Sequence, residues 1–308
     1  MLVGIVGATA SGKSGLALDI ARSLAGQGTG AEIVSMDAFA LYRGMDIGTA
    51  KPSAAELAEF PHHQVNVLDI AEEASVARYQ QEARADVDAI EARGNQAIAV
   101  GGSALYIRAL FDEMHFPGTD PTVRARVEQR LEVEGPAALY RELRQQDPKA
   151  AESIHPNNTR RVVRALEVIE LTGRPFSATL PKQKFVRPSL LIGVHREYDD
   201  IDSRIDLRTR AMLDAGFVDE VRELMVAGLE DTPTASKATG YAPVMQHSRG
   251  EITLEEATDQ IALETRQLVR KQYKWFRRDA RIHWIHATGT SDEDILEQAL
   301  EFMEKAEK

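Results

Sequence analysis

The sequence contains no cysteine and no apolar segment of membrane-spanning length. The first absence excludes disulfide bonds and zinc sites built from cysteine, and it is compatible with a reducing cytoplasm. The second leads us to expect no membrane partner, because a spanning helix needs about 20 consecutive apolar residues. An apolar segment begins directly after Met1, which leaves no room for a secretion signal. We therefore expect a cytoplasmic protein.

An excess of basic residues is absent as well. The 308 residues include 37 Lys and Arg against 48 Asp and Glu, which gives a formal net charge of -11. Taken alone, this charge argues weakly against a nucleic-acid partner. The hydrophobic fraction of 43% and the charged fraction of 28% are ordinary for a globular chain that is long enough for a full core and a subdomain. The distribution of the basic residues therefore matters more than their number.

A glycine-rich segment near the N-terminus has the spacing of a phosphate-binding loop. The pattern G-x-x-x-x-G-K-[ST] is matched in full by Gly7, Ala8, Thr9, Ala10, Ser11, Gly12, Lys13 and Ser14. An apolar segment precedes it as a predicted strand, and a predicted helix follows it. Backbone N–H groups and a helix N-terminus would surround a phosphate there, with Lys13 neutralising it and the Ser14 hydroxyl facing Mg²⁺. The alternative is a chance match in a flexible loop, which the flanking elements make rarer.

Short apolar segments predict the strands of a parallel sheet. They span 2–6, 31–35, 96–100, 190–194 and 282–285. Asp37 follows the second segment, and ligands bind at the carboxyl ends of parallel strands, so we expect Asp37 near the phosphate loop. Gly101, Gly102 and Ser103 follow the third segment, where an ordinary ATPase would carry an acidic residue. The predicted fold is α/β, a P-loop NTPase-like parallel sheet flanked by helices, with a helical insertion.

The character of the chain changes near Pro117, after which several short helices are predicted and no clear strand. We expect the first part of the α/β core in 1–116, a helical insertion in 117–186 and the second part of the core in 187–308. An aspartate and a proline at the start of the insertion are typical of a helix N-cap and its first turn.

Three arginines lie close together in the insertion, although the chain as a whole is acidic. Arg160, Arg161 and Arg164 are predicted to lie along one side of a helix. Carboxylate neighbours such as Glu167 and Glu170 would make this side a salt-bridged helix surface. Contact with a phosphate backbone is the other interpretation. The pattern favours neither interpretation over the other.

Two further segments carry candidate functional residues. The last long predicted helix, 255–279, has basic residues at i+4 spacing beside an apolar stripe with aromatics, and such a stripe can follow a nucleic-acid backbone. The basic residues are Arg266, Arg270, Lys274 and Arg278. A helix that starts near Ser203 places Arg204 and Arg208 one turn apart, either in the crevice or in surface ion pairs. His62 and His63 could lie at a strand entrance, and we interpret them as surface or loop histidines because further metal ligands at suitable spacing are lacking.

Together these segments resemble one family, the tRNA dimethylallyltransferases, also called tRNA isopentenyltransferases. The matching segments are GATASGKS, Asp37 followed by LYRGMDIGTAKP, PHH and VLDI, VGGSALY, IHPNNTRRVVRALEV, the helix with Arg204, Arg208 and Met212, ATGY, and ETRQLVRKQYKWFRR. They occur in the family's order from residue 4 to about residue 278. The segment YRGMDIGTAKP is far more specific than the phosphate loop.

The resemblance implies a reaction. The family transfers a dimethylallyl group from dimethylallyl diphosphate to N6 of the adenosine beside the anticodon, at tRNA position 37. The phosphate loop would then hold a prenyl diphosphate rather than ATP, which explains the missing acidic residue. The resemblance implies Asp37 as the general base, Arg208 and Thr9 as further catalytic residues, and Mg²⁺ bound at Ser14.

The resemblance also implies where tRNA binds. The implied contacts are Asp37, Ala38, Phe39, Ala40, Ser103, Arg160, Arg161, Val162, Val163, Arg164, Gly240, Tyr241, Arg266, Arg270 and Lys274. The expected partners are the anticodon stem-loop of tRNA and dimethylallyl diphosphate, and we expect a monomer.

The sequence departs from the family at a few positions. The family usually has Pro at the position of Ala8, Ser at that of Ala38 and Thr at that of Ser103. A basic or amide side chain commonly follows Gly240 and Tyr241, where this chain has Ala and Pro. These changes concern tRNA contacts and substrate preference more than the chemistry.

Two other classes of protein stay open at this point. One is a P-loop kinase of small metabolites, or the related adenylate isopentenyltransferases, which act on free nucleotide and need neither the arginine-rich insertion nor the basic helix. The other is an RNA-binding protein without enzymatic activity, in which the phosphate loop is a relic and Asp37 has no function.

Overall fold

The computed structural model describes residues 1–179 and 183–307. The chain divides into two units, of which the first contains Met1–Phe111 and Phe185–Lys308 and the second contains Asp112–Lys184. The ranges predicted for the insertion and for the second part of the core include residues 180–182 and 308, which lie outside the described residues. Across the described ranges, no helix combines the length and the apolar composition needed to cross a membrane.

Six parallel strands form the sheet of the first unit. They are β1 (Leu2–Gly7), β2 (Ala31–Ser35), β3 (His62–His63), β4 (Gln96–Gly101), β5 (Ser189–His195) and β6 (Ile282–His286). The strand order is β3-β2-β4-β1-β5-β6, and every neighbouring pair is parallel. All residues of β1 are buried, as expected for a central strand covered on both faces. The predicted P-loop NTPase-like sheet is confirmed.

Nine described helices belong to the first unit. They are α1 (Lys13–Gly26), α2 (Ala54–Glu59), α3 (Val76–Ala92), α4 (Ala104–Phe111), α9 (Tyr198–Asp214), α10 (Phe217–Val226), α11 (Tyr241–Ser248), α12 (Leu254–Phe276) and α13 (Asp292–Glu307). The helices α1 and α13 share a hydrophobic core with the sheet, which includes Ile5, Ile20 and Ile295. The helix predicted to start near Ser203 begins earlier, at Tyr198. Acidic residues in its first turn are favoured there by the helix dipole.

Four α-helices are found among the described residues of the second unit. They are α5 (Pro121–Glu134), α6 (Pro136–Gln146), α7 (Pro148–Ser153) and α8 (Thr159–Thr172). The Asp120 side chain accepts a hydrogen bond from Thr122 N (2.8 Å) and so caps α5. Val127, Leu143 and Val162 are among the buried residues of a separate hydrophobic core.

The arginines of α8 have different surroundings. Glu167 is fully buried and pairs with Arg164 (3.0 Å) and with Arg124 of α5 (3.4 Å). The Arg164 guanidinium also donates to the carbonyl oxygen of Pro117 (2.7 Å). Arg160 and Arg161 are exposed. The salt-bridged interpretation therefore applies to Arg164, because a buried carboxylate needs a cation beside it.

The two histidines lie in β3 itself and are partly buried rather than in an exposed loop. The His63 ring contacts the carboxylates of Glu32 (2.7 Å) and Asp86 (3.5 Å). Hydrogen bonds to Asp86 and Glu32 raise the pKa of His63, whereas burial lowers the pKa of His62. Within residues 1–179 and 183–307, no group of three or more ligating side chains is arranged to hold a metal ion. The pair therefore has a structural explanation at the edge of the sheet.

Candidate active site

Two glycines determine the backbone conformation of the loop between β1 and α1. Gly12 has a φ of 96° and caps α1 at its N-terminus, in a conformation that residues with a Cβ disfavour. A Cβ on Gly7 would lie 2.9 Å from the carbonyl oxygen of Val194. Ala8 is fully buried and shares a hydrophobic cluster with Tyr273 and other residues of α9 and α12. The phosphate loop is therefore fixed against both helices.

Three cationic side chains bind the carbonyl groups of this loop. The contacts run from Lys13 Nζ to Ala8 O (3.3 Å), from Arg204 Nε to Ala10 O (3.0 Å) and from Arg196 Nε to Ser11 O (2.9 Å). Arg196 is only 7% exposed and also pairs with Asp200 (2.9 Å). Carbonyl groups would repel an anion, and here they are already bonded to cations. The arrangement suits an anion at the loop's N–H groups and at the N-terminus of α1.

Lys13 and Arg208 concentrate positive charge beside the loop. Burial lowers the pKa of Lys13 to about 8, with a further contribution from Arg208, while Asp37 acts in the opposite direction. Burial also lowers the pKa of Arg208, again opposed by Asp37. Ser14 is exposed in the first turn of α1, whereas Ser11 is fully buried. The hydroxyl that is open to a ligand is therefore that of Ser14.

Asp37 lies just beyond β2 and has one fixed carboxylate oxygen. Its Oδ1 accepts hydrogen bonds from Phe39 N (2.8 Å) and Ala40 N (3.4 Å). Among the residues that the structure describes, Oδ2 has no hydrogen-bond partner. A carboxylate that is held on one side and open on the other can accept a proton from a ligand.

The end of β4 has no room for the acidic residue of an ordinary ATPase. A Cβ on Gly101 would overlap the carbonyl group of Met36, and a Cβ on Gly102 would lie 2.9 Å from Gly7 O. Ser103 follows, and its Oγ accepts a hydrogen bond from Ala38 N (3.3 Å). Ser103 thus joins the end of β4 to the segment that carries Asp37.

Two cavities meet at Asp37. One has a volume of about 360 Å³ and a mostly apolar surface, to which Phe39, Phe217 and Trp275 contribute. The other has a volume of about 310 Å³ and contains Lys13 and Ser14. Four residues line both cavities, and they are Thr9, Asp37, Thr49 and Arg208. The site therefore has a cationic side and an apolar side, with a carboxylate between them.

The segment from Met45 to Lys51 is held at both ends, and it carries Thr49. The Glu220 carboxylate accepts hydrogen bonds from three successive backbone N–H groups and from one hydroxyl. These donors are Asp46 N (2.9 Å), Ile47 N (2.6 Å), Gly48 N (3.1 Å) and Tyr241 OH (2.7 Å). Lys51 is buried and donates to Asp46 (2.7 Å) and Asn66 (2.6 Å). The loop has a binding site for a carboxylate, and Glu220 fills it.

The side chains expected to contact tRNA are not all on the surface. Ala38, Phe39 and Ser103 are partly exposed around Asp37, whereas Ala40 is buried. Val162 and Val163 belong to the core of the second unit. Gly240 caps α11 with a φ of 89°, and Tyr241 is fully buried with its hydroxyl on Glu220. In the arginine-rich segment, Arg160 and Arg161 therefore have the exposed side chains that can contact tRNA.

The basic stripe of α12 faces acidic residues of α9. Arg266 pairs with Asp206 and, at 3.7 Å, with Asp202. Arg270 pairs with Asp202 (3.2 Å) and remains about half exposed. Lys274 is exposed. The stripe therefore already has intramolecular partners at Arg266 and Arg270.

Sequence reasoning missed three residues that shape the site. Arg196 holds the phosphate loop, Glu220 holds the loop that carries Thr49, and Gln272 of α12 contacts Thr9 N at 2.9 Å. The contacts of Glu220 and Gln272 span 172 and 263 positions of the chain. No local spacing rule links residues so far apart, and Arg196, in the turn after β5, had no motif to mark it.

The chain is similar to known proteins along almost its whole length. A family model described as IPP transferase matches residues 40–279. A tRNA dimethylallyltransferase from Bifidobacterium animalis subsp. lactis is 48% identical over 306 residues, which cover 99% of this chain and 87% of that relative. The crystal structure of the full-length tRNA isopentenylpyrophosphate transferase from Bacillus halodurans has a TM-score of 0.70 and 34% identity, with 99% and 97% of the two chains covered. A structure of a eukaryotic dimethylallyltransferase acting on tRNA has a TM-score of 0.78 and 26% identity, and the match covers 93% of this chain and 73% of that one.

We expect the affinity of the protein for inorganic diphosphate to fall as the pH rises above about 8. The reason is that Lys13, whose pKa is lowered to about 8, loses its proton in that range, and only the ammonium form attracts an anion. The loss should approach about tenfold per pH unit for a single proton. Calorimetric titrations between about pH 7 and pH 9.5 measure it.

The matched variants separate this effect from titration of the ligand. Lys13→Met should bind diphosphate weakly at neutral pH and lack the additional loss above about pH 8. Lys305→Met, at an exposed position of α13, should behave like the wild type. An identical pH profile in the wild type and in Lys13→Met would show that Lys13 does not bind the anion.

Proposed function

The chain belongs to the family of tRNA dimethylallyltransferases, and we propose that its donor is dimethylallyl diphosphate and its acceptor is N6 of the adenosine at tRNA position 37. It is a prenyltransferase that modifies an adenosine of tRNA. The observation that supports the detailed assignment is the position of Asp37 at the wall shared by a cationic cavity and an apolar one. A carboxylate in this place can act on an acceptor from one side while a diphosphate leaves on the other.

In this proposal the diphosphate of the donor occupies the cationic cavity. Its oxygens lie against the N–H groups of the phosphate loop and the N-terminus of α1, where Lys13 and Arg208 neutralise their charge. The binding of three loop carbonyls by cations supports this placement. The Thr9 hydroxyl, which lines both cavities, donates to the oxygen that bridges the diphosphate and the allylic carbon.

The adenine enters the apolar cavity after it leaves the anticodon stack. Phe39, Phe217 and Trp275 supply aromatic surface there. The electron pair of N6 forms the new bond to the allylic carbon, and the bond between that carbon and the diphosphate oxygen breaks. Its electron pair leaves with the diphosphate, and Asp37 accepts the proton from N6.

Mg²⁺ fits the residues at the phosphate side of the site. The Ser14 hydroxyl is exposed and lines the same cavity as Asp37. Mg²⁺ prefers oxygen ligands, keeps several waters and commonly binds substrate phosphates with only one or two protein ligands. We propose Ser14 as its protein ligand, and the ion bound there would neutralise charge on the diphosphate.

The tRNA would be held by exposed cations of each unit. Arg160 and Arg161 contact phosphates of the anticodon stem-loop, which positions the RNA without reading its sequence. Arg164 supports them by anchoring α8. Lys274 contributes from α12, and Arg266 and Arg270 contribute by exchanging an aspartate for a phosphate. Phe39 and Ser103 line the cavity proposed for the target base. Ala38, Ala40 and Gly240 would contribute through the segments next to it.

We propose that the enzyme is a monomer located in the cytoplasm. Its location is supported by the substrate, since tRNA is used for translation in the cytoplasm.

The direct test is an incubation with dimethylallyl diphosphate and one of three acceptors, namely tRNA, AMP or ATP. We expect only the tRNA to gain a dimethylallyl group, with diphosphate released in equal amount. Nuclease digestion and mass spectrometry identify the modified nucleoside. A stem-loop with guanosine at position 37 is the control and should stay unmodified, because guanine has no N6 amine.

Other products would contradict the proposal. A prenylated AMP or ATP would place the chain with the adenylate isopentenyltransferases. Transfer of a phosphate instead of a prenyl group would make it a kinase. The absence of any product, with RNA bound normally, would mean a binding protein with a relic phosphate loop.

A second expectation concerns the exposed arginines of α8. Replacing Arg160 and Arg161 by Ala should flatten the slope of log affinity for tRNA against log salt by roughly one to two, because each lost phosphate contact removes about 0.7 to 0.9. The Michaelis constant for tRNA should rise, and that for dimethylallyl diphosphate should stay nearly constant. Fluorescence anisotropy across a salt series measures the slope.

The control removes the same charge from another helix of the second unit. Arg141 and Arg144 are exposed on α6, and their replacement by Ala should leave the slope almost unchanged. Arg164 is unsuitable because it anchors Glu167. Equal slopes in the wild type and in the Arg160/Arg161 variant would mean that these arginines are only a solvated helix face.

A further inference from the structure

The side chain of Gln272 connects two loops of the active site. Its Oε1 accepts a hydrogen bond from Thr9 N (2.9 Å), and its Nε2 donates to Gly102 O (3.0 Å). Thr9 belongs to the phosphate loop and Gly102 follows β4. One amide thus uses its acceptor on one loop and its donor on the other.

The hydrogen bonds continue from Gly102 to the catalytic carboxylate. Ser103 is the next residue, and its Oγ accepts from Ala38 N (3.3 Å) while its N–H donates to Met36 O (3.4 Å). Ala38 is covalently joined to Asp37. A continuous series of contacts therefore runs from the phosphate loop through Gln272 to the general base.

The Gln272 amide is closely packed on the side that faces Gly102. A Cβ on Gly102 would lie 2.6 Å from Gln272 Nε2 and 2.9 Å from Gly7 O, so even an alanine at that position would displace the amide or the phosphate loop. The absence of a side chain at Gly102 allows α12, the phosphate loop and the end of β4 to approach closely.

The helix α12 is fixed in place beside Gln272. Its neighbour Tyr273 is fully buried, and the Tyr273 hydroxyl is hydrogen-bonded to both N (3.0 Å) and O (3.1 Å) of Arg196. Arg196 in turn holds Ser11 O of the phosphate loop (2.9 Å). α12 is therefore linked to the phosphate loop at two successive positions, which limits movement of the Gln272 side chain.

We propose that Gln272 is a positioning residue for prenyl transfer, because it sets the distance between the phosphate loop and Asp37. The inference rests on the proposed function, in which the diphosphate leaves from one loop while Asp37 accepts a proton on the other. The reacting atoms must meet within a narrow range of distance and angle, and a displacement of about 1 Å can cost about 100-fold in rate. Neither loop holds this distance alone, since the phosphate loop follows β1 and Asp37 follows β2.

The choice of an amide rather than a carboxylate follows from the two partners. Thr9 N–H needs an acceptor and Gly102 O needs a donor. A glutamate would still accept from Thr9 but would place a second lone-pair oxygen against Gly102 O. A methionine of similar length would keep the volume and lose both hydrogen bonds.

The test compares single-turnover transfer in the wild type, in Gln272→Met and in Gln272→Glu. We expect both variants to transfer the dimethylallyl group roughly 10 to 100 times more slowly. Their dissociation constants for tRNA and dimethylallyl diphosphate should stay within about threefold of the wild type, because Gln272 acts on the chemical step rather than on uniform binding. Thermal unfolding of each variant shows whether the fold is intact.

The control is Gln260→Met, at an exposed position of the same helix, which should transfer at the wild-type rate. A transfer rate within about twofold of the wild type in Gln272→Met would overturn the proposal. So would a loss that disappears once the rate is divided by the folded fraction, because that loss would reflect stability alone. A wild-type protein that transfers no prenyl group would instead refute the proposed function and is therefore distinguishable.

Discussion

The hydrogen bonds from two backbone amides to one oxygen of Asp37 are the contact on which the proposed chemistry depends. Phe39 N at 2.8 Å and Ala40 N at 3.4 Å hold Oδ1 in a tight turn beyond β2. The charge of Asp37 opposes the lowering of the pKa values of Lys13 and Arg208 by burial. The turn keeps the carboxylate at the boundary of the two cavities, with one oxygen available to a substrate.

The charges around that boundary explain how an acidic chain can act on anionic substrates. The chain has a formal net charge of -11, yet three cations bind carbonyl groups of the phosphate loop. The lowered pKa of Lys13 reflects first the cost of burying a cation and second the repulsion from Arg208. In the proposal, the negative charge of the diphosphate would offset that cost by attracting both Lys13 and Arg208. In the proposal, exposed arginines such as Arg160 and Arg161 attract the phosphates of the tRNA.

Local sequence patterns predicted much of the fold. The features that were not predicted leave no signal over a few neighbouring residues. Apolar segments, glycines and a strand-end aspartate predict a parallel sheet by rules that act over a few residues, and that sheet is confirmed. The strand β3 is only two residues long, too short to leave a pattern. Glu220 and Gln272 contact loops that are distant in the chain, so tertiary packing alone brings them to the site. The arginines of α8 show the limit of sequence-based prediction most clearly. Arg164 binds the buried Glu167, whereas Arg160 and Arg161 are exposed. Helical periodicity does not show which of the three arginines contacts a buried carboxylate.

The measurement that tests the central claim most directly is the single-turnover rate of prenyl transfer in Asp37→Asn. Asparagine keeps an oxygen for Phe39 N–H and therefore preserves the turn, but it cannot accept the N6 proton as a carboxylate does. The account predicts a rate lower by roughly 10² to 10⁴, the usual contribution of a positioned general base, with the affinities for tRNA and dimethylallyl diphosphate nearly unchanged. A decrease of less than about tenfold in a folded, substrate-binding variant would contradict it, because Asp37 would then have no essential part in proton transfer.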